Sequence, residues 1–386
     1  MPKPRIYLDH NATSPLRPEA AEAMAAALRL PGNASSIHAE GRAARAVIED
    51  ARDKVAALAG AKAKNVVFTS SGTEAANLAL TPQFGRAGAA PPSRLLLAAI
   101  EHACVNLGHR FAAEEVVRLP CDSDGVVDMT ALDAALAAGG PALLALQAAN
   151  NETGVVQPVA AAAAWVRAAG GMTVCDAVQV LGKLPCDINR LDVDALFLSA
   201  HKFGGPKGVG ALVLASDSLP RPTPQLRGGG QERGLRAGTE NVAAIAGFGA
   251  AAAAAMAGIA SEPTRQADLR DRLEASVRRA APDVLVFGAA TLRLPNTVCF
   301  SIPGVSAETL LIALDLAGIA ASSGSACSSG KVAPSSVLAA MGVAPELARG
   351  ALRLSAGWNT SAEEVDNFGE RIAAVIQRLR QARAAA

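Results

Sequence analysis

Aromatic side chains are scarce: nine Phe, two Trp and one Tyr amount to 3% of 386 residues. A core built on large rings is therefore excluded. The 51% hydrophobic content, with Ala in excess, predicts helices packed closely through small side chains. Charge of one sign is also lacking. The 36 Lys and Arg face 35 Asp and Glu, a net charge of +1, which leaves no electrostatic footprint for gripping nucleic acid. The six cysteines, Cys104, Cys121, Cys175, Cys186, Cys299 and Cys327, contain no C-x-x-C pair, so a zinc ribbon or redox dithiol is not expected and no metal site is assigned. Met1 to Tyr7 lacks the apolar run of a secretory leader, and a cytoplasmic protein is expected. Val242 to Ser261 is uncharged over a membrane-spanning length. Ala and Gly dominate it, and Val242, Ile245, Phe248, Met256 and Ile259 recur at helical spacing, which predicts a buried helix and no membrane span.

At roughly 150 residues per domain the length calls for two or three units, each large enough for its own core. From about residue 65, short β-branched runs alternate with Ala-rich helical ones, the signature of a parallel sheet with crossover helices. Strands are expected at Asn65 to Thr69, Arg94 to Ala99, Glu115 to Leu119, Ala142 to Gln147, Thr173 to Cys175, Ala195 to Ser199 and Ala211 to Leu214. The Pro- and Gly-rich stretch Leu219 to Gly238 interrupts the pattern. Beyond Ser261 a charged helix, a strand at Thr297 to Ile302 and two further helices predict a smaller α/β unit. The expected division is 15–260 for the large domain, with 1–14 and 261–386 forming the small one.

Polar residues follow the strands. In open α/β sheets ligands bind beyond the carboxyl ends of the strands, so Thr73, His102, Asn151, Asp176 and Lys202 can converge although they are distant in sequence. Only eight residues are Lys. Lys202, between a strand and a Gly pair, suits a Schiff base with a carbonyl cofactor; a phosphate-binding or surface lysine is the alternative. Asp176 closes a strand before it and suits a pyridinium partner, or equally a helix cap. Ser70-Ser-Gly-Thr-Glu74 is either a phosphate cradle, with Gly72 and Thr73 at a helix N-terminus, or a plain capping box, and it matches neither a Walker A loop nor a dinucleotide fingerprint. His102 suits stacking on a planar ring or proton transfer, and His201 suits a phosphate, against the ordinary reading of a buried structural histidine. Cys327 stands apart from the other cysteines, which sit in apolar or strand-like contexts, because Ser and Gly surround it. Small neighbours let a thiol approach a ligand; the alternative is an inert loop cysteine.

Ten segments taken in order strengthen these readings. They are Tyr7-Leu-Asp-His-Asn-Ala-Thr-Ser-Pro15, Gly32-Asn-Ala-Ser-Ser-Ile-His38, Phe68-Thr-Ser-Ser-Gly-Thr-Glu74, Glu101-His102, Asn150-Asn-Glu-Thr-Gly-Val-Val-Gln157, Asp176-Ala-Val-Gln179, Ser199-Ala-His-Lys202, Arg236-Ala-Gly-Thr-Glu-Asn241, Ser322-Ser-Gly-Ser-Ala-Cys327 and Leu352-Arg-Leu-Ser355. Over nearly its whole length the chain resembles the pyridoxal-phosphate-dependent cysteine desulfurases of the NifS/IscS type, in the class V aminotransferase family. The resemblance implies the fold type I architecture of pyridoxal-phosphate-dependent transferases: a large, mostly parallel sheet domain flanked by helices, plus a smaller α/β domain. It makes Lys202 the cofactor-bearing and proton-shuttling lysine, Asp176 the pyridinium partner, and His102 the residue stacked on the ring. It places Gln179 and Asn151 near the ring hydroxyl, and Gly72, Thr73, Ser199 and His201 on the phosphate, with Thr239 arriving from a second subunit. Arg353 would grip the substrate carboxylate, with Asn151 close to the substrate, and Cys327 would take the sulfur of L-cysteine as a persulfide, releasing alanine. The implied partners are a second copy of the chain and a sulfur-acceptor protein such as an iron-sulfur scaffold. Trp358 departs from the pattern, standing where many relatives carry a basic residue. Two other readings stay open: a selenocysteine lyase or another class V aminotransferase-like enzyme, and a non-catalytic scaffold that only binds a partner.

Overall fold

The structure is a computed structural model describing residues 4–85, 88, 90–219, 221–323 and 335–384. After a short strand β1 (Ile6–Tyr7), seven strands build the main sheet: β2 (Val66–Thr69), β3 (Arg94–Ala98), β4 (Val116–Leu119), β5 (Ala142–Gln147), β6 (Met172–Asp176), β7 (Ala195–Ser199) and β8 (Gly210–Leu214). Their spatial order is β2-β8-β7-β6-β5-β3-β4. Strands β3 to β7 run parallel to one another, and β8 runs antiparallel to both β7 and β2. The sheet is thus α/β and mostly parallel, as expected, with one reversed strand. All seven expected strands form, with ends displaced by no more than one residue.

Because side chains alternate along a strand, each strand feeds two cores. Phe68, Leu96, Leu144 and Leu196 join one apolar cluster, and Val67, Leu95, Leu143 and Phe197 join another. Covering both faces with helices explains why these strands read as continuous hydrophobic runs. The Ala-rich helix Val242–Gly258 packs against Ala39–Ala59. A Cβ at Gly249 would come within 2.5 Å of the Ala51 Cα, so close approach of the two backbones is what the small residues provide. Among the described residues no single helix is long and apolar enough to cross a membrane; Val242–Gly258 meets the next helix, Glu262–Ala280, at an 82° bend.

The remaining strands, β9 (Leu285–Val286), β10 (Thr297–Ser301), β11 (Ile319–Ala320), β12 (Ser322–Ser323) and β13 (Leu352–Ser355), lie outside the main sheet. An antiparallel sheet runs β12-β13-β10-β9, and β11 pairs in parallel with β1. Ile6 and Leu8 share an apolar cluster with Leu273, Phe300, Leu314, Leu354 and Phe368. The N-terminal segment therefore packs with the C-terminal part of the chain. It then continues past Asp9, which bridges Ser355, to the carboxyl edge of the main sheet.

Candidate active site

A cavity of about 340 Å³ opens beyond the carboxyl ends of the central strands. It is lined by Gly72, Thr73, His102, Asn151, Asp176, Gln179, Ser199, His201, Lys202 and Arg353, so ten of the residues expected from sequence converge there. Parallel pairing places Asp176 level with Gln147 and Phe197, while the turn Ala200–Lys202 that ends β7 brings Lys202 to the same rim. The Lys202 Nζ donates to the main-chain oxygens of Asn11 at 2.7 Å and Ala12 at 3.0 Å.

Asp176 is buried, and its Oδ1 accepts from the Val178 amide at 2.9 Å. Burial lifts its carboxyl to about 6, against the opposing pull of that amide and of Lys202. Beside it Glu101 is buried and pushed well above the carboxylate range by desolvation, with the Asp176 charge adding to the shift. His102 caps the short helix Ala103–Asn106, its Nδ1 accepting from the Cys104 amide at 3.1 Å. Burial, with Lys202 adding, lowers the imidazole below its ordinary value and favours the neutral ring. His201 is lowered to about 4 by burial, then Lys202 and Lys207, and its Nδ1 lies 3.2 Å from the Thr13 hydroxyl.

At one end of the cavity the helix Gly72–Ala79 begins. Ser71 caps it by accepting from the Glu74 amide at 3.1 Å, and Glu74 accepts in return from the Ser70 amide at 2.7 Å. The capping reading is therefore real, and it does not exclude the cradle, since Gly72 and Thr73 still line the cavity at the positive end of the helix. A Cβ at Gly72 would lie 3.2 Å from Val178 Cγ2 and 3.3 Å from Ser199 Cβ, so the helix start is pressed against the strand-end residues. At the other end Arg353, almost fully buried, donates to Asp9 Oδ1 at 2.8 Å and to the Asn151 main-chain oxygen at 2.9 Å. Those two bonds engage one hydrogen on each terminal nitrogen, leaving the others for an incoming anion.

Two expected residues stand elsewhere. Thr239 lines a separate cavity of about 180 Å³ with Thr69, Ser70, Arg236 and Glu240, away from Lys202 of its own chain. Cys327 lies outside the described residues. Among the other cysteines, Cys175, Cys186 and Cys299 are buried with thiols pushed up by desolvation, Cys186 and Cys299 to about 12. Cys104 differs from the apolar setting read from sequence: it is half-buried and lines the cavity. Trp358 donates its indole N–H to the Pro15 oxygen at 3.0 Å, and the Arg17 guanidinium lies 4.9 Å from its ring. Sequence reasoning quoted Asn11 and Ala12 within a motif but gave them no role, and passed over Lys183, Gln147 and Cys104. For Lys183 the available signal was its place four residues after Gln179, where side chains on one helical turn meet. Among the described residues no group of three or more His, Cys, Asp or Glu is placed to hold a metal ion.

An α/β fold that gathers an amine, a buried carboxylate, an imidazole and a helix N-terminus at the carboxyl edge of its sheet has the layout of a ligand-activating enzyme. The family follows from comparison: the chain belongs to the class-V aminotransferases, whose family profile matches residues 6–368. It is 41% identical over 388 residues to an IscS-like cysteine desulfurase of Mycobacterium tuberculosis, covering 98% of each chain. It is also 43% identical over 384 residues to a cysteine desulfurase of Cereibacter sphaeroides, covering 97% of each. A NifS-like protein from Rickettsia africae superposes with a TM-score of 0.86 at 32% identity, over 97% of this chain and 99% of that one.

Proposed function

We propose that this chain is a pyridoxal-phosphate-dependent cysteine desulfurase, which converts L-cysteine to L-alanine and retains the sulfur as a persulfide on Cys327. The observation that carries the reading is the shared cavity of Lys202, Asp176, His102 and the Gly72 helix start. The donor set fits the cofactor. A buried carboxyl lifted to about 6 despite the pull of Lys202 suits a pyridinium, and a helix N-terminus with Thr73, Ser199 and His201 beside it suits a phosphate. When bound, pyridoxal phosphate supplies an electron sink that makes the substrate Cα acidic.

The protein's own groups do the rest. Asp176 would hold the ring nitrogen's proton, and His102, whose pKa burial lowers, would cover the ring face. Gln179 and Asn151, which line the same cavity, would stand by the ring oxygen. Arg353 orients the substrate carboxylate through its uncommitted N–H groups while Asp9 and the Asn151 oxygen fix the guanidinium. The Lys202 Nζ takes the Cα proton, and its hydrogen bonds to Asn11 and Ala12 set where that amine stands. Cys327 Sγ, as thiolate, forms the S–S bond as the substrate Cβ–S bond breaks; the bonding pair stays on carbon, which gains a proton. In this reading 15–260 is the cofactor-binding domain, 1–14 with 261–386 the small domain, and Thr239 serves the cavity of a second copy in a homodimer. The persulfide passes to a sulfur-acceptor protein, for which an iron-sulfur scaffold is the class proposed.

The test uses the purified full chain loaded with pyridoxal phosphate and L-cysteine, scoring alanine and, by mass spectrometry, the sulfur on Cys327. Cys327→Ala should keep the cofactor's visible band yet form almost no alanine and carry no persulfide. Wild-type-like alanine formation by that variant would remove Cys327 from the mechanism. Turnover of selenocysteine but not cysteine would favour the lyase alternative, and no cofactor uptake would favour a scaffold.

A further inference from the structure

Lys183 is buried directly behind the cavity and takes no part in the mechanism above. Its Nζ donates to Gln179 Oε1 and to Asn11 Oδ1, both at 2.8 Å, and both acceptors are neutral amide oxygens. Among the described residues the titratable and charged groups coupled to it are Lys202, Arg353 and His10, and Arg17 lines a small cavity with it. The first two are cationic, and His10 is itself held neutral, at about 3, by burial and then by Lys183, Arg265 and Arg17. Burial, with Lys202 and Arg353 adding, pushes the Lys183 ammonium well below the ordinary lysine value. A buried amine in such surroundings is an expensive way to fill space, so what it holds in place matters.

It holds one end of an amide. At the other end, Gln179 Nε2 donates to the Asn11 main-chain oxygen at 3.0 Å. The Asn11 carbonyl oxygen can only accept and so takes the amide nitrogen, while the Lys183 Nζ, which carries N–H donors in either protonation state, takes the amide oxygen; together they determine which end of the Gln179 amide is which. The oxygen is turned to Lys183, and the nitrogen keeps a second hydrogen that is not committed to Asn11. Asn11 is fixed by the same logic, its Oδ1 accepting from Lys183 and from Asn296 Nδ2 at 3.0 Å while its Nδ2 donates to Thr297 Oγ1 at 2.9 Å.

We propose that Lys183 is a positioning residue that fixes the polarity of the Gln179 amide, so that Gln179 meets the bound ligand as a hydrogen-bond donor and favours an ionised oxygen on it. The inference rests on the pyridoxal phosphate reading above, which puts the cofactor's ring oxygen beside Gln179. Without Lys183 the amide oxygen is buried with no donor. It regains one by turning toward the cavity and giving up the Nε2 bond to the Asn11 oxygen, and there it meets the ring oxygen as an acceptor and favours the protonated form.

The experiment records, for the loaded full-length protein, cofactor content and the pH midpoint at which the visible spectrum reports ring-oxygen ionisation, together with the melting temperature of the cofactor-free form. Lys183→Met, of similar length but without a donor, should bind the cofactor and raise the midpoint by about one pH unit, a tenfold gain in proton affinity. Lys183→Arg, again donor-only, should restore the wild-type midpoint. If the Met variant does not fold, Lys183→Gln gives the same reading, with a smaller rise expected. A folded, cofactor-bearing Met or Gln variant with the wild-type midpoint overturns the proposal, even if its melting temperature falls, because that is the signature of a purely structural lysine. A wild-type protein whose ring oxygen is protonated at neutral pH overturns it with no variant needed. A wild-type protein that takes up no cofactor defeats the pyridoxal phosphate reading itself, and this inference with it.

Discussion

Replacing Asp176 with Asn should make the cofactor-free protein more stable at neutral pH while disabling the site. The Asp176 carboxyl is raised from 3.8 to about 6, first by burial. A raised carboxyl pKa means that the folded state binds the proton more tightly than the unfolded state. Below pH 4 both states are protonated and nothing is lost. Through the window from 4 to 6 the folded state progressively loses its advantage, and above 6 the full penalty is present. Two pKa units correspond to about 3 kcal/mol. Asn keeps an oxygen for the Val178 amide and removes the charge that helps push Glu101 upward. Its new NH₂ must stay hydrated in the cavity, so a net gain of about 1 to 3 kcal/mol is expected. For a chain of this size that is a rise of a few degrees in melting temperature. Scanning calorimetry of both cofactor-free proteins at pH 4 and pH 7.5 should show a gap at the higher pH that closes at the lower. Loaded with pyridoxal phosphate, the variant should form little alanine. An Asn variant no more stable than wild type at pH 7.5, or a gap independent of pH, refutes the argument that Asp176 is held at a cost for a cationic partner.

Lys202→Ala should lack the visible band and form no alanine; borohydride reduction and peptide mapping that found the cofactor on another lysine would reject the assignment. Gly72→Val should weaken cofactor retention on dialysis and destabilise the apo-protein by about 1–3 kcal/mol, because the added side chain starts 3.2 Å from Val178 and 3.3 Å from Ser199. Unchanged retention would remove the helix start from the phosphate site. Glu152, lifted to about 7 by burial against the opposing Ser335 hydrogen bond and the Arg353 charge, follows the same sign as Asp176. Glu152→Gln should therefore raise the melting temperature at pH 8 and leave it near wild type at pH 4, and equal shifts at both would contradict a buried ionisation.

The main sheet was legible because strands buried on both faces announce themselves as apolar runs. Arg94–Ala98 and Ala195–Ser199 needed no tertiary information. The reversal of β8 was not legible, since Gly210–Leu214 is as apolar as a parallel strand and only its pairing sets its direction. Within the site, residues at strand ends were found by position, because the sheet itself carries them to one edge. Asn11 and Ala12 escaped, since they reach that edge through β1 and its pairing with β11, more than three hundred residues away in sequence. No local pattern encodes that.

Lys183 escaped for a different reason, and it bears on how the cavity is built. A lysine in a short turn normally reads as surface. Here Asp176, Gln179 and Lys183 come from a single strand-to-turn segment, and all three are buried. Asp176 is held against its preference for water by desolvation, and so is Lys183, with opposite sign. They do not neutralise each other directly: Asp176 is drawn down by Lys202, whereas Lys183 is bound to Gln179 and Asn11. The two burials therefore act through different partners, Asp176 on the cavity directly and Lys183 through Gln179. The carboxylate favours a proton on one atom of the ligand, and the lysine, through Gln179, favours the loss of one from another. A site arranged this way stabilises a ligand that is cationic at one end and anionic at the other, and relieving the Asp176 burial should gain stability while weakening that selection.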